Sequence, residues 1–200
     1  MKFFRFILIL FHPILFPIYY LLIFSTQINV DAKSSLGALM LFFALSLVAL
    51  PMLVTFLFSK LGVVKSVLFP DKQDRNTILL IMNVFYVLNT LLWVHRAVDR
   101  FFMFFFLVLM VSMLIIYLVS LFYNLDIYTY SFGAMFGYYI TMTFFVLHYS
   151  LAILVAIILA AGLTGTAQLQ VTERKPRDVY IGFLMGFVVE MGLAAYYLLF

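Results

Sequence analysis

The stretch FFMFFFLVLMVSMLIIYLVSLFY, residues 101–123, decides the fold, because it runs 23 residues without a charge and with only two serines. A bilayer core is about 30 Å thick and an α-helix rises about 1.5 Å per residue, so about 20 such residues cross it. Lipid offers no water to backbone amides, and a helix satisfies them internally. Working outward, comparable apolar runs cover residues 76–94, 36–59 and 3–24 on one side and 130–147, 150–169 and 179–200 on the other. The sequence therefore predicts an all-α, polytopic transmembrane bundle of seven spans, forming one integral membrane domain over residues 1–200.

Composition points the same way. The 200 residues are 67% hydrophobic and 10% charged, with a mean hydropathy of +1.20. A soluble domain is about half apolar and a quarter charged. With no cysteine, disulfides, thiolate metal sites and cysteine nucleophiles are excluded. The net charge of +4 does not indicate nucleic acid as a partner; it reads as loops lying against anionic lipid headgroups. The 25 phenylalanines and 13 tyrosines read as lipid contact and interfacial belts.

Lys2 and Arg5 ahead of an apolar run imitate a secretory signal peptide. The run exceeds the 7–15 residues of a signal core, holds Pro13 and Pro17, and ends in Ser25-Thr26-Gln27 without a small-x-small cleavage pattern. It is expected to stay as an anchor.

Alternating spans place the N-terminus and the loops 60–75, 124–129 and 170–178 on one face. That face holds Lys2, Arg5, Lys60, Lys65, Lys72, Arg75, Arg174, Lys175 and Arg177, against Lys33, Arg96 and Arg100 on the other. The excess predicts a cytoplasmic first face and N-terminus, and a bacterial inner membrane suits such a chain. The fifth and sixth runs join tightly around His148-Tyr149-Ser150. One kinked helix of nearly 40 residues would invert the last loop, but it is too long for a single crossing, so a break is expected.

Within the spans, polar residues need a reason. Glu190 lies in the last run, with Asn83 and Asn89 as candidate neighbours from the third. A neutral carboxyl hydrogen-bonded across helices, a proton or ion relay, and a ligand-cavity lining all remain open. Gly133 with Gly137, Ala161 with Gly165, and Gly182 with Gly186 are each four apart, so each pair shares a helix face and lets backbones approach closely. Pro13, Pro17 and Pro51 predict kinks or local breaks. His12, His95 and His148 are the only imidazoles; interfacial anchoring is the preferred reading over haem or metal ligation, and no cofactor or metal site is read. No phosphate loop, His-Glu-x-x-His helix or nucleophile elbow is present.

A family resemblance enters through the segment from Gly165-Thr166-Ala167-Gln168-Leu169 to Glu173-Arg174-Lys175-Pro176-Arg177-Asp178-Val179-Tyr180-Ile181-Gly182-Phe183-Leu184-Met185-Gly186. It resembles the third motif of the phosphatidic acid phosphatase type 2 superfamily, Ser-Arg, five residues, His, three residues, Asp, then a glycine-bearing helix. Ala167 and Gln168 take the Ser-Arg places, Arg174 the histidine place and Asp178 the aspartate place. The second motif, Pro-Ser-Gly-His, is matched by Asp126-Ile127-Tyr128-Thr129-Tyr130-Ser131-Phe132-Gly133, with Tyr130 at the histidine. The first motif, Lys, six residues, Arg-Pro, resembles Phe69-Pro70-Asp71-Lys72-Gln73-Asp74-Arg75-Asn76, with Arg75 at the arginine, Asn76 in place of proline and Leu68 in place of lysine. The likeness is to small bacterial members, and it implies a six-span core carrying all three segments on one face.

In that family the third-motif histidine attacks phosphorus, its aspartate orients it, the second-motif histidine protonates the leaving oxygen, and cations neutralise the phosphoryl oxygens. A guanidinium has no lone pair for attack, so Arg174 cannot take the nucleophile's part. A phenol gives up its proton far less readily at neutral pH than an imidazolium, so Tyr130 is a poor general acid. Gln168 hydrogen-bonds a phosphate oxygen without supplying charge. What the resemblance leaves is a cationic rim, Lys72, Arg75, Arg174, Lys175 and Arg177, with Asp178 expected to pair with Arg174. The expectation is a catalytically degenerate phosphatase-like protein that binds membrane lipid, in particular a phosphorylated headgroup, or serves as a subunit beside a membrane protein partner. The alternatives are an active lipid phosphatase with altered residues and a small transporter using Glu190.

Overall fold

The computed structural model describes residues 1–25, 33–94, 100–145, 150–172 and 174–199, and all regular structure among them is helical. The helices are α1 (Lys2–Leu10), α2 (Phe16–Ser25), α3 (Lys33–Ala44), α4 (Leu50–Lys60), α5 (Lys72–Val94), α6 (Arg100–Phe122), α7 (Ile127–Phe145), α8 (Leu151–Val171) and α9 (Pro176–Leu199). A 3-10 turn, Pro13–Leu15, joins α1 to α2, and a π turn, Leu45–Ala49, joins α3 to α4. Among the described residues, seven long helical stretches thus answer the seven apolar runs. Six of them, Lys2–Ile23, Met40–Lys60, Lys72–Leu92, Phe105–Phe122, Leu151–Val171 and Pro176–Tyr196, are long and apolar enough to cross a membrane. The all-α multi-pass reading holds. His95, Arg96 and His148 lie outside the described residues, as do Gln27 and Glu173.

The exception in composition is α7, whose hydroxyls and glycines keep it out of that group of six. Its environment explains why a bundle tolerates it. From Asp126 to Met135 every residue is buried, so its polar groups bond within protein rather than facing lipid.

Boundaries moved where a cap acts. Asp71 Oδ1 accepts from the Asp74 amide at 2.8 Å, an N-cap bond that starts α5 at Lys72, four residues before the expected 76. Asp74 in turn accepts the Lys65 and Ser66 amides at 3.0 and 2.9 Å, pinning the preceding loop to that first turn. Asp126 caps α7 in the same way through the Thr129 amide at 2.9 Å. Pro176, which has no amide hydrogen to lose, opens α9. At the other end of α4, Gly62 adopts φ 77. Val63 N donates to Phe58 O at 2.9 Å and Gly62 N to Ser59 O at 3.1 Å, the paired closure that needs a left-handed residue.

The expected kink at Pro51 takes the form of the π turn before it, in which Leu50 N donates to Leu45 O. Proline cannot donate to the carbonyl four residues back, and widening the turn is one way to absorb that. In the first span the break falls at 11–15, between α1 and α2, where Pro13 sits.

The fifth and sixth runs are separate helices. Ser150 meets the Tyr139 hydroxyl at 3.0 Å through both its amide and its carbonyl. Eleven residues of continuous helix would hold those positions roughly 16 Å apart, so the chain reverses between α7 and α8.

The chain divides into two compact units, Met1–Pro13 with Phe122–Phe200, and Ile14–Leu121. The first holds α1 and α7–α9. The second holds α2–α6 and packs aromatic side chains in its interior, Phe43 edge-on to Phe106 at 4.8 Å and Tyr20 to Phe105 at 6.4 Å.

Candidate functional site

The site positions are set by how closely α7 and α9 approach. A Cβ on Gly133 would collide with the Phe183 carbonyl, one on Gly137 with that of Phe187, one on Gly182 with that of Asp126, and one on Gly186 with that of Tyr130. Two small-x-x-x-small faces therefore meet backbone to backbone, as their spacing predicts. The third pair divides. Gly165 of α8 faces Val179 and Thr129, where a Cβ would lie 3.3 Å and 3.7 Å from their methyl carbons, whereas Ala161 lines an open groove between α8 and α9.

This packing brings the second-motif-like and third-motif-like segments together at one end of the unit. The Asp126 amide donates to Asp178 O at 3.4 Å. Thr129 Oγ1 lies 2.9 Å from both Asp126 Oδ2 and Val179 O, tying the first turn of α7 to the first turn of α9. Asp126 is 1% exposed and its carboxylate serves as the α7 cap.

Of the positions carried over from the family, Tyr130 is buried with its carbonyl against Gly186. Gln168 is buried one turn beyond Gly165, and Thr172 Oγ1 lies 2.7 Å from its Oε1. Arg174 departs from expectation. Its Nη1 donates to Asn124 Oδ1 at 2.6 Å rather than pairing with Asp178. The reason is local: Asp178 sits in the first turn of α9 with its amide bonded to Lys175 O, where a carboxylate is favoured by the helix dipole. Arg174 lies before that turn and reaches the loop leading into α7. Lys175 and Arg177 are exposed.

Lys72 and Arg75 belong to the other unit. Lys72 is exposed, but Arg75 is 0% exposed, so it is an interior residue of the α5 start rather than part of a solvated rim. Glu190 is wholly buried in α9 and lies within electrostatic reach of Tyr138 of α7. Asn83 and Asn89 are buried in the second unit. The Asn83 amide donates to Leu79 O and Met113 O at 2.9 and 3.1 Å, and the Asn89 amide to Phe85 O at 2.9 Å.

One neighbour escaped sequence reasoning. His12, at the end of α1, is buried and packs edge-on against Tyr128, with ring centroids 5.7 Å apart. Beside it Phe11 packs against Phe132 at 5.2 Å. Tyr128 is also within electrostatic reach of Asp126 and Arg174, so the His12 imidazole stands beside a residue of the second-motif-like segment. No spacing rule links residue 12 to residue 128. The α7 start also departs from expectation, falling at Ile127, three residues before the expected 130, because Asp126 caps it through the Thr129 amide. Among the described residues no group of three His, Asp or Glu side chains is arranged to hold a metal ion.

Compared with protein-family models, with curated proteins and with solved structures, the chain matches none of them.

Proposed function

We propose that this multi-pass membrane protein has a lipid-phosphatase-like scaffold whose reacting residues are replaced, and that it holds a phosphorylated lipid headgroup without cleaving it. The observation that carries the reading is the meeting of the Asp126–Tyr130 and Asp178–Gly186 segments at one end of a glycine-packed helix pair. Beside that meeting point stand Arg174, Lys175 and Arg177, and guanidinium forks suit phosphate oxygens. Neither Tyr130 nor Arg174 supplies the nucleophile or acid that hydrolysis requires.

In this reading the basic loops face the cytoplasm of a bacterial cell, and a membrane protein partner uses the same surface. The cysteine-free chain allows the orientation to be read directly. Single cysteines placed at Ser66 and at Lys175 should both be shielded from an impermeant maleimide applied to intact cells.

The central test is chemical. Purified protein incubated with phosphatidic acid or a prenyl diphosphate should release no phosphate while retaining the lipid. Phosphate release abolished by Arg174→Ala or by His12→Ala would overturn the proposal in favour of an active phosphatase. His12 is included because its burial against Tyr128 is the one structural observation that favours that second reading. A transport role through Glu190 is tested separately, since flux in proteoliposomes that is unchanged by Glu190→Gln removes it.

A further inference from the structure

The two helices that carry the third-motif-like segment leave an open groove between them, of about 470 Å³. It is lined by Ile158, Ala161, Gly162 and Thr166 of α8 and by Tyr180, Phe183 and Leu184 of α9. Ile158, Tyr180 and Leu184 are exposed, so the groove opens outward along the surface of two membrane-crossing helices. From Ile158 to Leu169 it follows α8 for roughly 16 Å. Thr166 spends its hydroxyl on Gly162 O at 2.8 Å, which leaves the trough apolar.

The groove has a polarity along its length. One end reaches Val179 and Tyr180, where α9 begins and where Lys175 and Arg177 stand exposed. Tyr180 is 68% exposed at that junction, the place where an amphipathic ring suits the headgroup level. Cations at one end and an aliphatic trough beyond them complement a molecule with an anionic head and a hydrocarbon tail. A partner helix would match the trough but not the charged end.

We infer that the α8–α9 groove holds one acyl chain of an anionic phospholipid, with its phosphate at Lys175 and Arg177. This rests on the headgroup reading above and adds the lipid class and the chain site. Gly162 offers a clean handle, since a Cβ built there meets nothing within 4 Å; Gly162→Leu therefore fills the trough without touching the α7–α9 contact. Ile158→Trp blocks it independently, farther from the cationic end.

Native mass spectrometry of the detergent-solubilised full chain, with dioleoyl phosphatidylglycerol, phosphatidic acid or phosphatidylcholine added, tests the inference. At least tenfold preference for the two anionic lipids is expected. Gly162→Leu and Ile158→Trp should each lower that binding at least tenfold while leaving dihexanoyl phosphatidic acid, too short to need the trough, bound as before. The double variant Lys175→Ala/Arg177→Ala should lose both. Should both groove variants bind dioleoyl lipids like the parent while the double variant does not, the groove assignment falls and the headgroup reading stands. Should all variants bind alike, both fall. Inorganic phosphate that displaces the lipid at equal concentration would assign the cations to free phosphate, and a dimer that Gly162→Leu dissociates would assign the groove to a second copy; either overturns the inference.

Discussion

Helices α6 and α7 are of similar length, yet they solve opposite problems. In α6, Leu107, Leu114, Leu118 and Leu121 are exposed, a stripe at helical spacing that reads as a lipid-facing surface. The other side of α6 is buried, including Phe105, Phe106 and Ile116. In α7 no such stripe exists between Asp126 and Met135, where every residue is buried. Its hydroxyls are bonded internally or across to α9: Ser131 Oγ donates to Ile127 O at 2.8 Å and Thr141 Oγ1 to Gly137 O at 2.9 Å within the helix, and Thr129 reaches α9. Hydropathy therefore reports how much lipid a helix meets, whereas small and hydroxyl-bearing residues report how much protein it meets. A helix omitted by a hydropathy criterion can be the most enclosed one in its unit.

Substitutions should separate the two helices in graded fashion. Gly186→Leu is expected to have the largest effect, because its side chain must displace the Tyr130 backbone; the cost should reach or exceed the top of the about 1–3 kcal/mol of overpacking. It would be seen as loss of monodisperse protein in size-exclusion chromatography, and near-parental behaviour would break the comparison. Asp126→Ala should come next, costing about 0.5–2 kcal/mol through loss of the α7 cap. Asp126→Asn should recover most of that in thermal unfolding. Thr129→Val removes the link to Val179 and should cost about 1 kcal/mol, and an unchanged melting temperature would mean that the Gly182 contact and the Asp126 amide bond to Asp178 O hold the two first turns without it. The smallest effect is expected from Leu118→Ala on the exposed face of α6, within about 0.5 kcal/mol. A larger loss there would show that a protein surface rather than lipid covers α6.

Much of the candidate site was readable because helix periodicity converts spacing directly into shared faces. Gly133 with Gly137 and Gly182 with Gly186 announced two close-packing surfaces, and the structure opposes them. Charge was less informative. Arg75 and Arg174 were read into one rim, but Arg75 is fully buried and Arg174 is engaged by Asn124. A cation's position in the sequence does not say which way its long side chain runs, and the nearby carboxylates Asp74 and Asp178 stand in the first turns of α5 and α9. Glu190 was recognised by the cost of a carboxyl in a span, while Tyr138, within its electrostatic reach, lies fifty-two positions away and has no local signature.

What the sequence determined by itself is the helical, multi-pass class and the helix faces that pack closely. Both follow from local rules: backbone groups in lipid must bond within a helix, and residues four apart share a face. Only the tertiary structure decided that His12 lies against Tyr128, that Arg174 turns to Asn124, and that α8 and α9 leave a groove with cations at its end. Each of these joins residues distant in the chain, and such contacts depend on how whole helices settle against one another.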